Sequence, residues 1–535
     1  MVPPQNSSRL RSKAVKRSQR QDEARAEQQV VARQETATVG SGQPDGFFAH
    51  LNLKPIWFGV AFLAMFAVII FVPTGEGLSV AAQRALAILV FAVIMWVTEA
   101  VSYSVSSVLI IGLIAILLGF SPGIEDPSTA IGTSDALRMG LAGFSSTAVA
   151  LVAAALALAA AMQATGLHKR LALWVLRFSG EKTRNVLIGG IVIAIILAFF
   201  VPSATARAGA VVPILLGMVA AFGLANNSRL GALLVIAAAQ AVSIWNVGIK
   251  TAAAQNLVAA GFIEDQLGIT VSWGQWFLYA APWSILMSIA LYFIMRWAIK
   301  PEVDSIAGGR EVVKQNLAEL GPMTGKETRL IIIACLLLLM WATEDVLHPL
   351  DSSTITIIAI GLLLVPKIGV FSWKSLEKLV NWGTLIVFAT GISLGTLLLD
   401  TGAAAWLSQN TFGALGIAQM PLLATIALVS IFTILIHLGF ASATSLASAL
   451  IPVYIALAAT LPGAADGGFG FVIIQQFVIS FGFLLPISAP QNMLAYGTGA
   501  FTAKQFLKTG IPLTIVGYLL VLLLSATYWS WIGLV

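Results

Sequence analysis

Charged side chains are scarce in this chain. Only 10% of its 535 residues are Asp, Glu, Lys or Arg, 58% are hydrophobic, and the mean hydropathy is +0.91. A typical water-soluble domain carries about 25% charged residues, so this composition excludes that class. The chain is predicted to be an all-α membrane protein that crosses the bilayer many times.

Cysteine is almost absent, and so are the sequence motifs of metalloproteases and nucleotide-driven pumps. Cys335 is the lone cysteine and lies in an apolar run, which excludes a disulfide framework, argues against a metal cluster and predicts a packing role. There is no His-Glu-x-x-His zinc motif and no Gly-x-x-x-x-Gly-Lys phosphate loop. We therefore predict that the chain is not an enzyme, needs no cofactor and has no nucleic-acid partner.

The first fifty residues have almost no large apolar side chains and are basic, with eight cations: Arg9, Arg11, Lys13, Lys16, Arg17, Arg20, Arg25 and Arg33. This composition predicts that residues 1–50 form a disordered cytoplasmic tail that helps to fix orientation. Specific binding of lipid or of a partner is the alternative. The segment has neither the apolar core nor the cleavage site of a secretory signal.

Long apolar runs predict the membrane crossings. About 30 Å of hydrocarbon requires about 20 helical residues. Eleven runs fit, near residues 54–72, 80–98, 103–120, 140–162, 231–259, 277–298, 329–346, 353–366, 383–400, 470–497 and 510–533. Two more apolar stretches, 185–220 and 421–462, are left over.

The loop charges predict the orientation. Cations cluster on the side of the basic tail, at Lys169, Arg170, Arg177, Lys182, Arg184, Lys300, Arg310, Lys314, Lys326, Lys367, Lys374, Lys378, Lys504 and Lys508. Acids occupy the opposite loops, at Glu125, Asp126, Asp135, Glu264, Asp265, Glu344 and Asp345. By the positive-inside rule the N-terminus is cytoplasmic and the C-terminus outside. This bias survives only if 185–220 and 421–462 enter and return on one side, so we predict two re-entrant hairpins.

The two leftover stretches contain nearly the same string. Ser203-Ala204-Thr205 with Ala208, Ala210 and Pro213 recurs 239 residues later as Ser442-Ala443-Thr444 with Ala447, Ala449 and Pro452. Small hydroxyl and alanine residues ending in proline are poor material for a lipid-facing helix. We therefore expect non-helical backbone here, lining a polar cavity at the hairpin tips.

Three further blocks recur in the same order: Trp96 to Glu99 as Trp341 to Glu344, Thr165-Gly166 as Thr401-Gly402, and Ala253 to Asn256 as Ala489 to Asn492. They predict a first repeat over 51–300, a cytoplasmic linker over 301–328 and a second repeat over 329–535. Because the two hairpins open from opposite sides, the repeat is predicted to be inverted, as in secondary transporters with alternating access. A channel would also need many crossings, but this pattern favours a carrier.

Three strings resemble the divalent anion/sodium symporter family over residues 54–535: Trp96 to Ala100, the paired hairpin tips, and Pro486 to Asn492 leading to Tyr496-Gly497-Thr498-Gly499. The strings Pro202 to Gly209 and Thr251 to Asn256 are most similar to the branch of plastid oxoglutarate/malate translocators and bacterial citrate and tartrate exchangers. The resemblance implies a small carboxylate substrate, an elevator-like motion and a homodimer in the bilayer.

The resemblance also implies the substrate-binding residues. The tips would contribute Ser203, Ala204, Thr205, Ser442, Ala443 and Thr444, and the unwound segments Thr251, Ala253, Asn256, Ser488, Pro490 and Asn492. Broken helices suit such a site because their N-terminal amides attract anions and their free carbonyls attract cations. Close helix packing is the alternative reason for small residues at these positions.

The tips depart from the family at one position. The family reads Ser-Asn-Thr there, with the asparagine helping to bind sodium and substrate, whereas this chain has Ala204 and Ala443. Sodium binding near Ser203 and Ser442 is therefore in question.

Three basic residues bear on substrate binding and coupling. Arg207, in mid-membrane, is expected to hold a carboxylate with its planar fork; an ion pair or a position near the inner surface are the alternatives. Lys250 can supply the charge that sodium supplies in relatives, or reach toward headgroups. His437 would permit proton coupling, or be an interior hydrogen-bonded residue.

Taken together, the residues predict an inner-membrane carrier of di- or tricarboxylate anions of the malate, succinate, oxoglutarate and citrate class, working by exchange. Sodium- or proton-coupled symport of carboxylate or sulfate is the alternative, and a non-transporting receptor or scaffold is the second.

Overall fold

A computed structural model describes residues 54–75, 77–124, 126–305, 308–344, 346–461 and 468–535, whose regular structure is helical. The predicted basic tail over residues 1–50 lies outside these ranges, as do Glu125 and Asp345 of the charge argument. The described residues form one unit. Nine helices in the described ranges are long and apolar enough to cross a membrane. The chain is thus an all-helical protein with many membrane-spanning segments.

The α-helices up to residue 320 are α1 Lys54–Phe71, α2 Val80–Thr98, α3 Tyr103–Leu113, α4 Thr133–Leu141, α5 Thr147–Thr165, α6 Leu167–Arg177, α7 Thr183–Phe200, α8 Ala204–Ala221, α9 Arg229–Gly248, α10 Ala254–Leu267, α11 Trp273–Ala298 and α12 Gly309–Glu319. Those that follow are α13 Gly325–Ala342, α14 Ser352–Leu364, α15 Trp373–Leu379, α16 Trp382–Asp400, α17 Ala403–Ser408, α18 Leu422–His437, α19 Ala443–Ala458, α20 Phe469–Ile479, α21 Pro490–Tyr496, α22 Ala503–Ala526 and α23 Tyr528–Trp531.

Most predicted crossings coincide with a helix to within a few residues. Those over 231–259 and 470–497 instead each contain a helix break, and the helix expected over 510–533 begins earlier, at Ala503. The fourth crossing also differs. It was expected over 140–162, and α5 begins instead at Thr147 because the Ser146 side chain caps it by accepting from the Ala148 amide at 3.3 Å. The residues before it form α4 and a 3-10 turn over Ala142–Ser145. Hydropathy alone does not separate this turn from the helix, whereas the serine N-cap marks the residue at which the helix begins.

The two leftover stretches each form a pair of helices around a short break. The first is α7 and α8, separated at 201–203, and the second is α18 and α19, separated at 438–442. The expectation that the whole serine-alanine-proline block is non-helical is wrong. Each block forms the first turns of a helix because its alanines favour helix and its serine serves as the N-cap.

Helix α9 lies at the centre of the fold. Every residue from Leu230 to Gly248 is buried, and the helix packs against α7, α8 and α11. By contrast, α1 buries only Ala61 and Met65. An apolar helix that is buried on all sides belongs to the protein core, and one that is largely exposed borders the surrounding lipid.

Cys335 contradicts its expected packing role, because it is exposed on the surface of α13. Apolar surroundings in the sequence do not separate core from surface in a membrane protein, since lipid is as apolar as the core.

One string, Gly391 to Gly395, matches the Gly-x-Ser-x-Gly pattern of hydrolase nucleophiles. It lies inside α16, where Ser393 is buried, donates to the Ala389 carbonyl at 3.2 Å and accepts from the Gly143 amide at 2.9 Å. A nucleophile elbow requires an exposed serine on a strand-to-helix turn, so this serine is a packing residue.

Candidate functional site

The central feature of the site is a pair of matching helix breaks. Between α9 and α10 the chain passes through extended Ile249, a 3-10 turn over Lys250–Ala252 and extended Ala253. Between α20 and α21 it passes through extended Leu485, a 3-10 turn over Pro486–Ser488 and extended Ala489. Each residue of one break corresponds to the residue 236 positions later, so the sequence repeat is also a repeat of backbone conformation.

Two buried asparagines hold these breaks open. Asn256 Nδ2 donates to the carbonyls of Asn246 at 2.6 Å and Ile249 at 3.1 Å. Asn492 Nδ2 donates to the carbonyl of Gly482 at 2.7 Å, at the position corresponding to Asn246. Carbonyls released by a broken helix need donors when they are buried, and the side-chain amides provide them.

The hairpin tips match in the same way. Ser203 and Ser442 are the N-caps of α8 and α19, and each hydroxyl accepts a backbone N–H three residues later at 3.3 Å. Thr205 is exposed, whereas Ala204, Ala443 and Thr444 are half-buried like the two serines. Both helix N-termini therefore present amide groups from a partly accessible surface.

Arg207 is fully buried one turn into α8. Its Nη2 donates to Asn246 Oδ1 and to the carbonyl of Ala252 at 3.0 Å. Its Nε and Nη1 have no hydrogen-bond partner in the part of the chain that the structure describes, and none of the ion pairs found there includes it. A buried guanidinium with two free donor groups is unstable without an anion, so this position suits a carboxylate ligand.

His437 reaches the corresponding carbonyl in the second half. Its Nε2 lies 3.3 Å from the carbonyl oxygen of Ser488, which is 236 residues after Ala252. Since a carbonyl only accepts, Nε2 must be the protonated nitrogen, and Nδ1 has no partner among the described residues. Both hairpins thus contact the unwound segment of their own half through a basic side chain.

Two other predicted residues of the first unwound segment, Lys250 and Thr251, bond to residues outside the helix break. Lys250 Nζ donates to the Val271 carbonyl at 2.6 Å, and Thr251 Oγ1 accepts from Trp273 Nε1 at 3.3 Å. These bonds fix the segment to the connection between α10 and α11. Ala253, the extended residue before α10, is buried, and Pro490, the first residue of α21, is exposed.

Four glutamines, which the sequence analysis did not single out, join the two halves. Gln476 Nε2 donates to Asn256 Oδ1 at 3.2 Å and Gln240 Nε2 to the Phe483 carbonyl at 3.0 Å. Gln255 and Gln491 also cross between the halves, donating to Ser480 and Ser243 at 3.3 and 2.9 Å. Gln255 and Gln491 are 236 residues apart and lie in a recurring block of the sequence, and the same offset would have found Gln240 and Gln476.

Helix packing also crosses between the halves. The second helix of each hairpin packs against the short helix after the opposite break, α8 against α21 and α19 against α10. The Tyr103 hydroxyl donates to Glu99 at 2.8 Å and interacts with Ser442 and Ser445, so α3 borders the second tip. Helix N-termini, a buried guanidinium and amide donors therefore lie in the two breaks and in the helices packed against them, and such groups suit an anion.

Comparison with known proteins identifies the family. Residues 53–535 match the family model described as the sodium:sulfate symporter transmembrane region. A membrane protein of Cupriavidus necator is 51% identical over 89% of this chain and 93% of its own length. The citrate/succinate antiporter of Escherichia coli K12 is 27% identical over 88% of this chain and 96% of its own.

Among solved structures, the Alcanivorax borkumensis YdaH transporter matches 82% of this chain and 99% of its own with a TM-score of 0.49 and 17% identity. The family match covers nearly all the described residues and confirms the predicted transporter, as opposed to an enzyme. The chain belongs to the sodium:sulfate symporter family, the divalent anion/sodium symporters that its motifs resemble.

Proposed function

We propose that the chain is a secondary active carrier that exchanges di- or tricarboxylate anions across the cell inner membrane by alternating access. The substrate class is that of malate, succinate, oxoglutarate and citrate. The similarity to a citrate/succinate antiporter over most of both chains supports exchange of such anions.

The observation that carries the proposal is the environment of Arg207. Its guanidinium is buried without a carboxylate among the described residues, and two of its donor groups are unused. A carboxylate substrate would accept from these donors and balance the charge. The amides at the start of α8 and α19 would hold a second carboxylate, which favours substrates with two or more acidic groups.

Exchange, as opposed to cation symport, is supported by what the basic residues contact. Free carbonyls in a broken helix are typical ligands for a coupling cation. Here Arg207 and His437 donate to the corresponding carbonyls of Ala252 and Ser488, and the tips carry Ala204 and Ala443 where relatives have asparagine. Side-chain donors thus occupy positions that a sodium ion would need.

The proposed architecture has eleven crossings and two re-entrant hairpins in an inverted repeat, with repeats over 51–300 and 329–535 and a cytoplasmic linker over 301–328. The N-terminus is inside and the C-terminus outside. The family resemblance adds an elevator-like motion and a homodimer. Labelling single cysteines placed at Ser203 and Ser442, in a Cys335→Ser background, tests the hairpins. Reaction of either tip only from the far surface would contradict re-entry.

Sodium- or proton-coupled symport of carboxylate or sulfate is the second candidate, favoured by the description of the family as sodium:sulfate symporters. Sodium would bind near Ser203 and Ser442, and protons would be carried by His437 with Lys250 supplying charge.

Counterflow in proteoliposomes separates the candidates. Vesicles loaded with unlabelled succinate, or left empty, receive labelled malate, succinate, oxoglutarate, citrate, tartrate or sulfate, with and without a sodium or proton gradient. Exchange predicts uptake only into loaded vesicles and no effect of sodium. Concentrative uptake into empty vesicles driven by sodium or protons would establish symport instead. Absence of uptake with every anion would favour a receptor or scaffold.

A further inference from the structure

A concave site lies away from the hairpin tips, between α6 and α12. It is a cavity of about 610 Å³ lined by Arg177, Arg310, Lys314 and Leu317. This volume falls within the range of about 300–1,000 Å³ that small-molecule sites occupy. None of these four lining residues is acidic, so the cavity presents three positive charges and one apolar side chain.

The walls of the cavity are fixed by the fold. Arg170 in α6 forms a buried ion pair with Glu327 at 2.7 Å, which joins α6 to the start of α13. At the other end the Thr183 amide donates to the Asp304 carbonyl at 2.9 Å, and Thr183 Oγ1 to the Val303 carbonyl at 2.8 Å. The cavity is therefore held between two anchored segments and does not depend on a ligand to form.

Neighbouring side chains point to a ligand with an apolar part. Phe178 follows Arg177 directly and is 85% exposed. Aromatic side chains with basic neighbours are typical of the level of lipid headgroups at a membrane surface. The loops that carry Arg177, Arg310 and Lys314 are also those predicted to face the cytoplasm, where the lipid surface is anionic.

We propose that this cavity binds the phosphate headgroup of an anionic phospholipid, with a two-phosphate headgroup such as that of cardiolipin fitting three cations best. The phosphates would accept from Arg177 on α6 and from Arg310 and Lys314 on α12. Both helices pack against α8, and Val312 of α12 faces Gly217 of α8. The bound lipid therefore ties α6 to α12 beside the second helix of the first hairpin. The Lys314–Glu311 pair at 3.7 Å is highly exposed and competes weakly.

Lipid titration of the purified, delipidated full chain tests the proposal by native mass spectrometry. The double variant Arg310→Gln/Lys314→Gln is expected to bind cardiolipin about 30-fold more weakly than the unmodified protein. The matched control, Lys374→Gln/Lys378→Gln, removes two exposed cations beside exposed Trp373 on α15 and is expected to retain binding. Unfolding temperatures without lipid should be equal in all three, because the replaced side chains are exposed.

Four outcomes would overturn the assignment. The cavity is not the site if the double variant binds normally, or if the control loses binding equally. The ligand is a soluble anion if inorganic phosphate at millimolar concentration displaces cardiolipin while chloride at the same ionic strength does not. Uncharged phosphatidylcholine binding as tightly as cardiolipin would exclude recognition of charge.

Discussion

The two halves of the molecule use different side chains to form a hydrogen bond with the corresponding backbone carbonyl. Ala252 in the first half is held by Arg207, and Ser488 in the second by His437. Arginine is always charged, whereas histidine can donate to a carbonyl as a neutral imidazole. The halves therefore share a backbone design, and the positive charge of the site is concentrated in the first half.

The two basic residues also come from opposite arms of their hairpins. Arg207 lies four residues after Ser203 in the second arm, and His437 lies five residues before Ser442 in the first arm. The two residues therefore do not occupy corresponding positions in the two repeats. The comparison shows that a duplicated site can keep a contact while changing the position that supplies it.

The strongest test of this asymmetry is Arg207→Ala. Removing two charge-assisted hydrogen bonds to substrate is expected to lower counterflow by about 100-fold or more, at ~1.5–3 kcal/mol for each bond. Arg207→Lys keeps the charge without the planar fork and should recover part of the activity. Transport by Arg207→Ala at the unmodified rate, with normal amounts in the membrane, would remove Arg207 from the site.

Asn256 and Asn492 test whether the halves are equally stable. Asn256→Ala leaves the carbonyls of Asn246 and Ile249 without their donor and should cost ~2–3 kcal/mol. Asn492→Ala leaves only the Gly482 carbonyl and should cost ~1–2 kcal/mol. Unfolding temperature in detergent measures both. Asn410→Ala, an exposed asparagine bonded to the Trp406 carbonyl, is the control and should change little. A larger loss of stability for Asn492→Ala than for Asn256→Ala would contradict this expectation.

Much of this architecture could be predicted from the sequence because it depends on periodic or repeated features. The helix α2 covers 80–98 as its apolar run predicts. The family resemblance implied an unwound segment in each half, and the two segments are related by an offset of 236 residues. Alanine, glutamine and asparagine recur at the same spacing in the two breaks and accompany the same backbone conformation.

Tertiary contacts could not be predicted from these sequence features. Hydropathy identified Arg207 as unusual, but not that Asn246 and the Ala252 carbonyl receive its hydrogen bonds. The direction of Lys250, toward Val271, was equally hidden. Short helices such as α6 and α12 lie in loops whose hydropathy is low, so a search for crossings overlooks them and the cavity that they enclose.

Variants of His437 test directly how the second half contributes to transport. His437→Gln keeps an N–H donor for the Ser488 carbonyl and should transport nearly normally, whereas His437→Leu should raise KM by about 3- to 10-fold. Exchange rates of all three proteins between pH 6 and pH 8 show whether the histidine carries protons. Equal pH profiles for His437→Gln and the unmodified protein are expected. A profile that flattens in His437→Gln would assign proton coupling to this residue.

The smallest effects are expected at the two N-cap serines, Ser203 and Ser442, where the halves are most alike. Ser203→Ala and Ser442→Ala each remove an N-cap and should cost ~1 kcal/mol of stability, equally in the two halves. Thr502→Ala removes the N-cap of α22, away from the tips, and serves as the control for stability without an effect on transport. If exchange needs no sodium, neither serine variant should gain or lose sodium dependence. Sodium dependence that changes in Ser203→Ala but not in Ser442→Ala would mean that the halves differ in cation binding as well as in charge.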